Sequence, residues 1–313
     1  MIKIPYIIVI LGATATGKTK LAVRLAKDIG GEIISADSRQ IYKGLDIGTG
    51  KDLQEYKLDN CEIAHHLIDI RTIDEQYSVY DFQRDSIQSI EQIMKNNKIP
   101  IVCGGTGLYI EALLLNYRFS TFSQDQLLRD KLSKMSIAEL ESFYKQLNIS
   151  KNIEKNNRHR YIRAIEIAIQ EQRNILQQND LEYEIEKNIV FGIRFPREKL
   201  RDRIYSRLIN RLQNGMIEEV NNLLAQGTNA EKLISLGLEY KYITKYLLGE
   251  LTKEEMVNKL YIAICQFAKR QETWFRRMER RGINIYWING LDNDDDKINE
   301  MGKYIYKIYA KKH

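Results

Sequence analysis

Residues 12–19 read Gly-Ala-Thr-Ala-Thr-Gly-Lys-Thr, the spacing of a glycine-rich phosphate loop. Gly12 and Gly17 let the backbone wrap closely, so that amides of Ala13, Thr14, Ala15 and Thr16 can face one anion. Lys18 brings a point charge to terminal phosphates, and the Thr19 hydroxyl is placed to ligate Mg²⁺. The context that this motif requires is present on both sides. Tyr6-Ile-Ile-Val-Ile-Leu11 is an unbroken apolar run that predicts a strand buried on both faces. Lys18–Ile29 then repeats Leu21, Leu25 and Ile29 at helical spacing and stops at Gly30-Gly31. An anion at the start of that helix also meets its partial positive charge.

The loop identifies an anion without identifying the molecule that carries it. A nucleotide kinase, a GTPase and a prenyl-diphosphate user can all use such a cradle. The base-reading motifs of a GTPase are not found. An NTPase of the usual kind ends a neighbouring strand in Asp or Glu, whereas here Ile101-Val102-Cys103 runs into Gly104-Gly105-Thr106-Gly107. That departure weakens the ATPase reading.

Two further residues fall within reach of this chemistry. In open parallel sheets, ligands bind beyond the carboxyl ends of the strands. Asp37 follows a short predicted strand, Glu32–Ala36, and Thr106 follows the strand at 100–103, so both belong to the same rim as the phosphate loop. A carboxylate beside an anion site fits a general base or an Mg²⁺ partner; locally, Asp37 fits a helix N-cap equally well. Thr106 fits donation to a phosphate oxygen and ordinary turn chemistry alike.

The elements that must hold these residues alternate strand and helix through residue 119, which predicts an α/β fold built on a parallel sheet. A third strand is expected within Ala64–Ile70 and a helix over Asp81–Asn97. From residue 120 the chain becomes polar and helical, with helices expected at Gln124–Leu132, Ile137–Leu147 and Arg158–Gln172. A strand within Glu184–Phe195 should return to the sheet, and Gly282–Ile288 should form the last one. The expected organisation is therefore a first core segment at 1–119, an inserted helical domain at 120–188, and a mostly helical return to the core at 189–313. Asp292–Asp296 reads as an acidic turn.

Composition sets the limits. The chain has 313 residues, and 48 Lys+Arg against 42 Asp+Glu give a net charge of +6; 43% of residues are hydrophobic. That length predicts about two domains, and the apolar fraction excludes wholesale disorder. Three widely spaced cysteines predict no disulfide framework or zinc site and fit a reducing compartment. No stretch approaches the roughly 18 apolar residues of a membrane span. We expect a soluble, cytoplasmic monomer with no membrane contact. The positive excess is clustered in Lys269–Arg281, in Arg194–Arg211, and in Arg158, Arg160 and Arg163. Three such clusters beside a phosphate site favour a nucleic-acid backbone over a merely solvated helix face. His65-His66 and Cys103 are read as structural.

These pieces together resemble the tRNA dimethylallyltransferases, also called tRNA isopentenyltransferases. The resemblance rests on residues 12–19, 35–49, 66–70, 77–82, 104–109, 160–166 and 266–274, which run in family order over most of the chain. It implies a nucleotide-kinase-like phosphate-loop core that uses Mg²⁺. It also implies transfer of a dimethylallyl group from dimethylallyl diphosphate to the exocyclic N6 of the adenosine just 3′ of the tRNA anticodon. By the same resemblance Asp37 is the general base, Thr106 contacts the bridging region of the diphosphate, and Lys18 offsets its charge. Asp37, Ser38, Arg39, Gln40, Arg129, Arg160, Arg163, Lys241, Gln266, Lys269 and Arg270 fall on tRNA-contacting segments. One departure stands out. Where many members carry Ile-Arg-Cys-Val-Gly-Tyr-Arg, this chain has Leu236 for the first Arg, Glu239 for Gly, and Lys241 for the second Arg. Lys241 or an arginine of the 269–281 stretch is the expected substitute. Two alternatives accompany the leading reading: a small-molecule or nucleotide kinase, and a tRNA-binding paralogue with impaired catalysis.

Overall fold

A computed structural model describes residues 1–58, 61–119, 125–147, 157–172 and 182–310. Its strands are β1 (Ile2–Ile4), β2 (Ile7–Gly12), β3 (Gly31–Ala36), β4 (Lys57–Leu58), β5 (Cys61–Glu62), β6 (His65–His66), β7 (Ile99–Gly104), β8 (Tyr183–Ile185), β9 (Asn188–Arg194) and β10 (Ile285–Asn289). Its helices are α1 (Lys18–Ile29), α2 (Val79–Lys95), α3 (Gly107–Leu114), α4 (Gln126–Lys134), α5 (Ile137–Gln146), α6 (Arg158–Gln172), α7 (Arg197–Gln213), α8 (Met216–Ala225), α9 (Ala230–Leu236), α10 (Leu238–Leu247), α11 (Lys253–Arg280) and α12 (Asp294–Ala310).

Six strands form one parallel sheet in the order β10-β9-β2-β7-β3-β6. β2 lies inside it and is buried along its whole length, as expected where helices cover both faces of a parallel sheet. Ile7 to Leu11 are each 0% exposed, and each such side chain contributes about 1.5–3 kcal/mol of burial. Within α1, Leu21, Ala22, Val23, Leu25 and Ala26 form the buried stripe that docks the helix.

The chain divides into two compact units, Met1–Asn116 with Tyr183–His313, and Tyr117–Glu182. The second is shorter than the expected 120–188 insertion at its carboxyl end, and strand pairing explains why. β8 pairs in parallel with β1, and the buried Tyr183 hydroxyl donates to the Leu113 carbonyl at 2.7 Å, so residues from 183 onward belong to the sheet-bearing unit. In the helical unit, α4, α5 and α6 close around Leu132, Leu140, Tyr144, Tyr161, Ile162 and Ile165. The expected boundary at 120 and the helix start at Gln124 lie outside the described residues.

Other boundaries moved for local reasons. α2 starts at Val79, two residues earlier than periodicity suggested, because Ser78 and Asp81 cap it reciprocally. The expected strand in 64–70 shrinks to the two residues of β6, followed by Leu67 and Asp69 in left-handed conformations. Asp294, Asp295 and Asp296 form the first turn of α12 and not an acidic turn, where the positive helix end suits them. There Asp294 meets Lys20 at 3.0 Å and Asp295 meets Arg24, which fastens α12 to α1. No helix among the described residues is long and apolar enough to cross a membrane.

Candidate active site at the carboxyl edge of the sheet

β2, β7 and β3 are adjacent, so the loops beyond their carboxyl ends meet. Gly104 sits opposite Leu11 on one side and Ala36 on the other. A cavity of about 520 Å³ opens at this edge, and Lys18, Thr19, Asp37 and Thr106 all line it.

Gly17 starts α1 in a left-handed conformation (φ 79°), which glycine adopts without strain. Ala15 adopts the same region (φ 65°) without that freedom, so the loop is held against its own preference. Several contacts hold it. The buried Thr16 hydroxyl donates to the Ala13 carbonyl at 2.8 Å, Arg203 Nε donates to the Ala15 carbonyl at 2.8 Å, and Arg207 donates to the Thr14 hydroxyl. Thr14, Ala15, Gly17, Lys18 and Thr19 line the cavity, while Gly12, Ala13 and Thr16 are buried and do not.

The Asp37 carboxylate accepts the Arg39 N–H at 2.9 Å and closes a local turn. No helix follows Asp37, which removes the helix-cap reading. The Ser38 N–H donates to the Thr106 hydroxyl at 3.1 Å, and the Thr106 N–H donates to the Ala36 carbonyl at 3.1 Å. Thr106 is also the N-cap of α3, but its side chain makes no cap bond and serves the Asp37 loop. Gln40 accepts from the Ser35 hydroxyl at 2.8 Å and donates to the Gly50 carbonyl at 2.9 Å. The far wall is set by Glu219, which accepts the N–H groups of Asp46, Ile47 and Gly48 at 2.9, 2.7 and 3.1 Å and the Tyr240 hydroxyl at 2.7 Å.

The electrostatics favour an anion. Burial pulls the Lys18 ammonium below its ordinary pKa, with Cys103 and Asp37 opposing. Burial, helped by Arg211, brings the Arg207 guanidinium down to about 10. Arg203, Arg207 and Arg211 recur every four residues on α7 and all face the cavity. Against them stand the Glu55 and Glu239 carboxyls, both pushed above the usual carboxylate range chiefly by burial. Cys103 is a buried strand-end thiol, raised to about 12 by burial.

The structure brings together most residues that the sequence singled out. Asp37, Ser38, Arg39, Gln40, Lys241 and Arg270 line the cavity with Lys18, Thr19 and Thr106; Gln266 and Lys269 are exposed on α11 and do not line it. Leu236 lines it too, only 4% exposed, in a place without charge of its own. Lys241 or an arginine of the 269–281 stretch was the expected substitute for the missing arginine, and of that stretch Arg270 reaches the cavity. Lys241 stands there too, but the cations in direct contact with the phosphate loop come from α7. The sequence grouped those arginines with backbone-binding clusters, although their four-residue spacing was a readable sign of one shared face. Gln271 was missed altogether. It is 6% exposed, accepts the Thr14 N–H at 2.8 Å and donates to the Gly105 carbonyl at 2.9 Å.

In the helical unit, Arg129 makes a two-pronged bond to the fully buried Glu166 at 2.6 and 3.0 Å, and Arg163 approaches the same carboxylate at 3.4 Å. Arg160 is exposed on α6. His65 packs against the Tyr56 ring at 4.4 Å and His66 bonds Glu32 at 2.8 Å, so both histidines are taken up locally.

The donor set at the cavity suits Mg²⁺ better than a soft metal. No group of three or more His, Cys, Asp or Glu able to hold a metal occurs among the described residues. Thr19 offers one hydroxyl to a cavity that the carboxylates of Asp37 and Asp52 also line, the latter bonded by Arg211 at 2.8 Å. A cation held by few protein oxygens, with the rest of its shell from phosphate and water, matches the habit of Mg²⁺.

The IPP transferase family model matches residues 40–278. The chain is 48% identical over 289 residues to tRNA dimethylallyltransferase 2 of Treponema denticola, covering 90% of this chain and 95% of that protein. It is 46% identical over 288 residues to tRNA dimethylallyltransferase 1 of Syntrophus aciditrophicus, covering 91% and 94%. Among solved structures, the full-length tRNA isopentenylpyrophosphate transferase from Bacillus halodurans superposes with a TM-score of 0.68 at 32% identity, covering 97% of this chain and 96% of that one. A eukaryotic dimethylallyltransferase acting on tRNA superposes at 0.72 with 25% identity, covering 92% and 74%.

Proposed function

The chain belongs to the IPP transferase family, and on that premise we propose that it is a tRNA dimethylallyltransferase. It moves the dimethylallyl group of dimethylallyl diphosphate onto the exocyclic N6 of the adenosine 3′-adjacent to the anticodon. One observation carries this reading: the phosphate loop, Asp37 and Thr106 line a single cavity, so an anion and a proton acceptor share it.

The geometry supports one set of roles. The diphosphate lies along Thr14–Thr19, with its charge offset by Lys18 and by Arg203, Arg207 and Arg211. N6 attacks C1 of the prenyl chain, the C1–O bond breaks, and diphosphate departs with the bonding pair. Asp37 accepts the proton released by N6, which compensates for the weak nucleophilicity of an exocyclic adenine amine. Thr106 contacts the bridging region of the diphosphate, a role supported by its place on the cavity wall, where its hydroxyl oxygen accepts the Ser38 N–H. Thr19 would hold Mg²⁺, which supplies charge neutralisation of the leaving group when bound. The target base must leave its loop stack to reach Asp37. Ser38, Arg39, Gln40, Lys241 and Arg270 meet the RNA at the cavity, and Gln266 and Lys269 meet it on the exposed face of α11. Arg160 of the helical unit meets its backbone, while Arg129 and Arg163 act by holding Glu166. We place the protein in the cytoplasm as a monomer.

A ligand competition separates this reading from a kinase. Dimethylallyl diphosphate should protect the protein from thermal unfolding in Mg²⁺ and ATP should be turned over at background rate. ATP hydrolysis or phosphoryl transfer without a prenyl donor would favour the kinase.

A further inference from the structure

Gln271 sits on α11, away from the three strands that carry the site, yet its buried side chain touches two of their loops. Its Oε1 accepts the Thr14 N–H at 2.8 Å, within the phosphate loop, and its Nε2 donates to the Gly105 carbonyl at 2.9 Å, one residue before Thr106. At neutral pH a primary amide meets both needs where a carboxylate or an apolar side chain of similar size does not, since one end must accept and the other donate. The fit is close: a Cβ built on Gly105 would lie 2.4 Å from Nε2 and 3.2 Å from the Gly12 carbonyl, so residue 105 must be glycine for the amide to enter. From Gly105 the chain of contacts continues, because Thr106 accepts from Ser38 next to Asp37. The same helix carries Arg270 and Phe267 at the cavity wall, and both are solvent-exposed.

We propose that Gln271 is the positioning residue that holds the phosphate loop and the Gly105-Thr106 turn in register, so that the diphosphate and Asp37 keep a fixed separation. The proposal rests on the prenyl-transfer reading above. It does not touch substrate; it acts through Thr14, Gly105 and Thr106. Without the amide, the Thr14 N–H and the Gly105 carbonyl lose their common partner, and the strained Ala15 turn loses one of its restraints.

The test compares Gln271→Glu, Gln271→Leu and wild type in steady-state prenyl transfer, with tRNA binding and thermal unfolding measured on each. Gln271→Glu retains the acceptor for Thr14 and loses the donor to Gly105 until its carboxyl is protonated. We expect the donor KM of both variants to rise at least tenfold and kcat to fall, with tRNA Kd within twofold of wild type. Lowering the pH should recover Gln271→Glu selectively, as its carboxyl regains a donor, and leave Gln271→Leu unchanged. Folded variants with wild-type kinetics would overturn the proposal. So would donor KM and tRNA Kd rising together, or pH recovery equal in both variants. If Gln271→Leu does not fold, the pH dependence of Gln271→Glu decides alone, and recovery no greater than wild type shows would overturn the proposal. A wild-type protein that transfers no prenyl group would refute the function itself, a result distinguishable from any of these.

Discussion

The Ser38 N–H and the Thr106 hydroxyl meet at 3.1 Å, which ties the turn after β7 to the residue beside Asp37. Two loops separated by 68 residues in sequence thereby act as one wall of the cavity. The carboxylate meant to receive a proton has its own support in the Arg39 N–H, and the Ser38 bond links its turn to the hydroxyl meant to face the reacting bond.

If Asp37 accepts the N6 proton, Asp37→Asn should lower kcat by about 10²–10⁴-fold, the usual contribution of a positioned base. Its melting temperature should stay near wild type, since the Asn amide oxygen can still accept the Arg39 N–H. Radiolabelled prenyl incorporation into tRNA, read beside a thermal melt, checks both halves.

The cationic wall makes a pH prediction. Lys18 has a lowered pKa, so its charge is present below that value and lost as pH rises through it. Glu55 and Glu239 have raised pKa values, so they are neutral below them and repel the diphosphate above. Both effects run in one direction, and donor KM should increase as pH rises. Lys18→Arg should push the alkaline limb to higher pH, and Glu239→Gln should flatten the acidic one. Lys18→Ala should cost about 10²–10³-fold in kcat/KM, as removal of one preorganised donor does.

Glu166 is fully buried and shared by Arg129 and Arg163. Truncating Arg129 removes the two shorter bonds and leaves that carboxylate to Arg163 at 3.4 Å, so the loss should stay below the cost of a fully broken buried pair, about 3–5 kcal/mol. Arg129→Ala should therefore destabilise the helical unit, visible as early unfolding by hydrogen exchange in α4 and α6. An effect on tRNA binding with protection unchanged would contradict this assignment.

Arg160 is exposed on α6 and should act as a phosphate contact. Arg160→Ala should weaken tRNA binding alike for all tRNAs and reduce the salt slope of log Kd by about one. Fluorescence anisotropy between low and moderate salt measures it.

Much of this was readable from the residues. A buried apolar run before Gly12 and helical spacing after Lys18 were enough to place the phosphate loop between β2 and α1, because local pattern and fold agree there. Asp37 and Thr106 could be put at one edge because parallel strands end on one side. What sequence could not supply was reach across the chain. Gln271 lies 257 residues from Thr14, and nothing in its local pattern marks a buried amide with two partners. Arg207 was grouped with the clusters expected to bind a nucleic-acid backbone, and only the fold shows that α7 turns it to the phosphate loop, where it bonds Thr14. Arg129 and Arg163 were read as RNA contacts, and nothing in their local pattern showed that both also bond the fully buried Glu166, one turn from Arg163. The second unit's end at Glu182 depended on β8 pairing with β1, a contact between the chain's start and its middle.

The central claim is tested most directly by one incubation of the protein with Mg²⁺, dimethylallyl diphosphate and unmodified tRNA, followed by nucleoside analysis of the digested RNA. The account predicts a new nucleoside heavier than adenosine by one dimethylallyl group, confined to the position 3′ of the anticodon and absent with Asp37→Asn. Unmodified adenosine at that position after wild-type treatment, or equal product from Asp37→Asn, would contradict it.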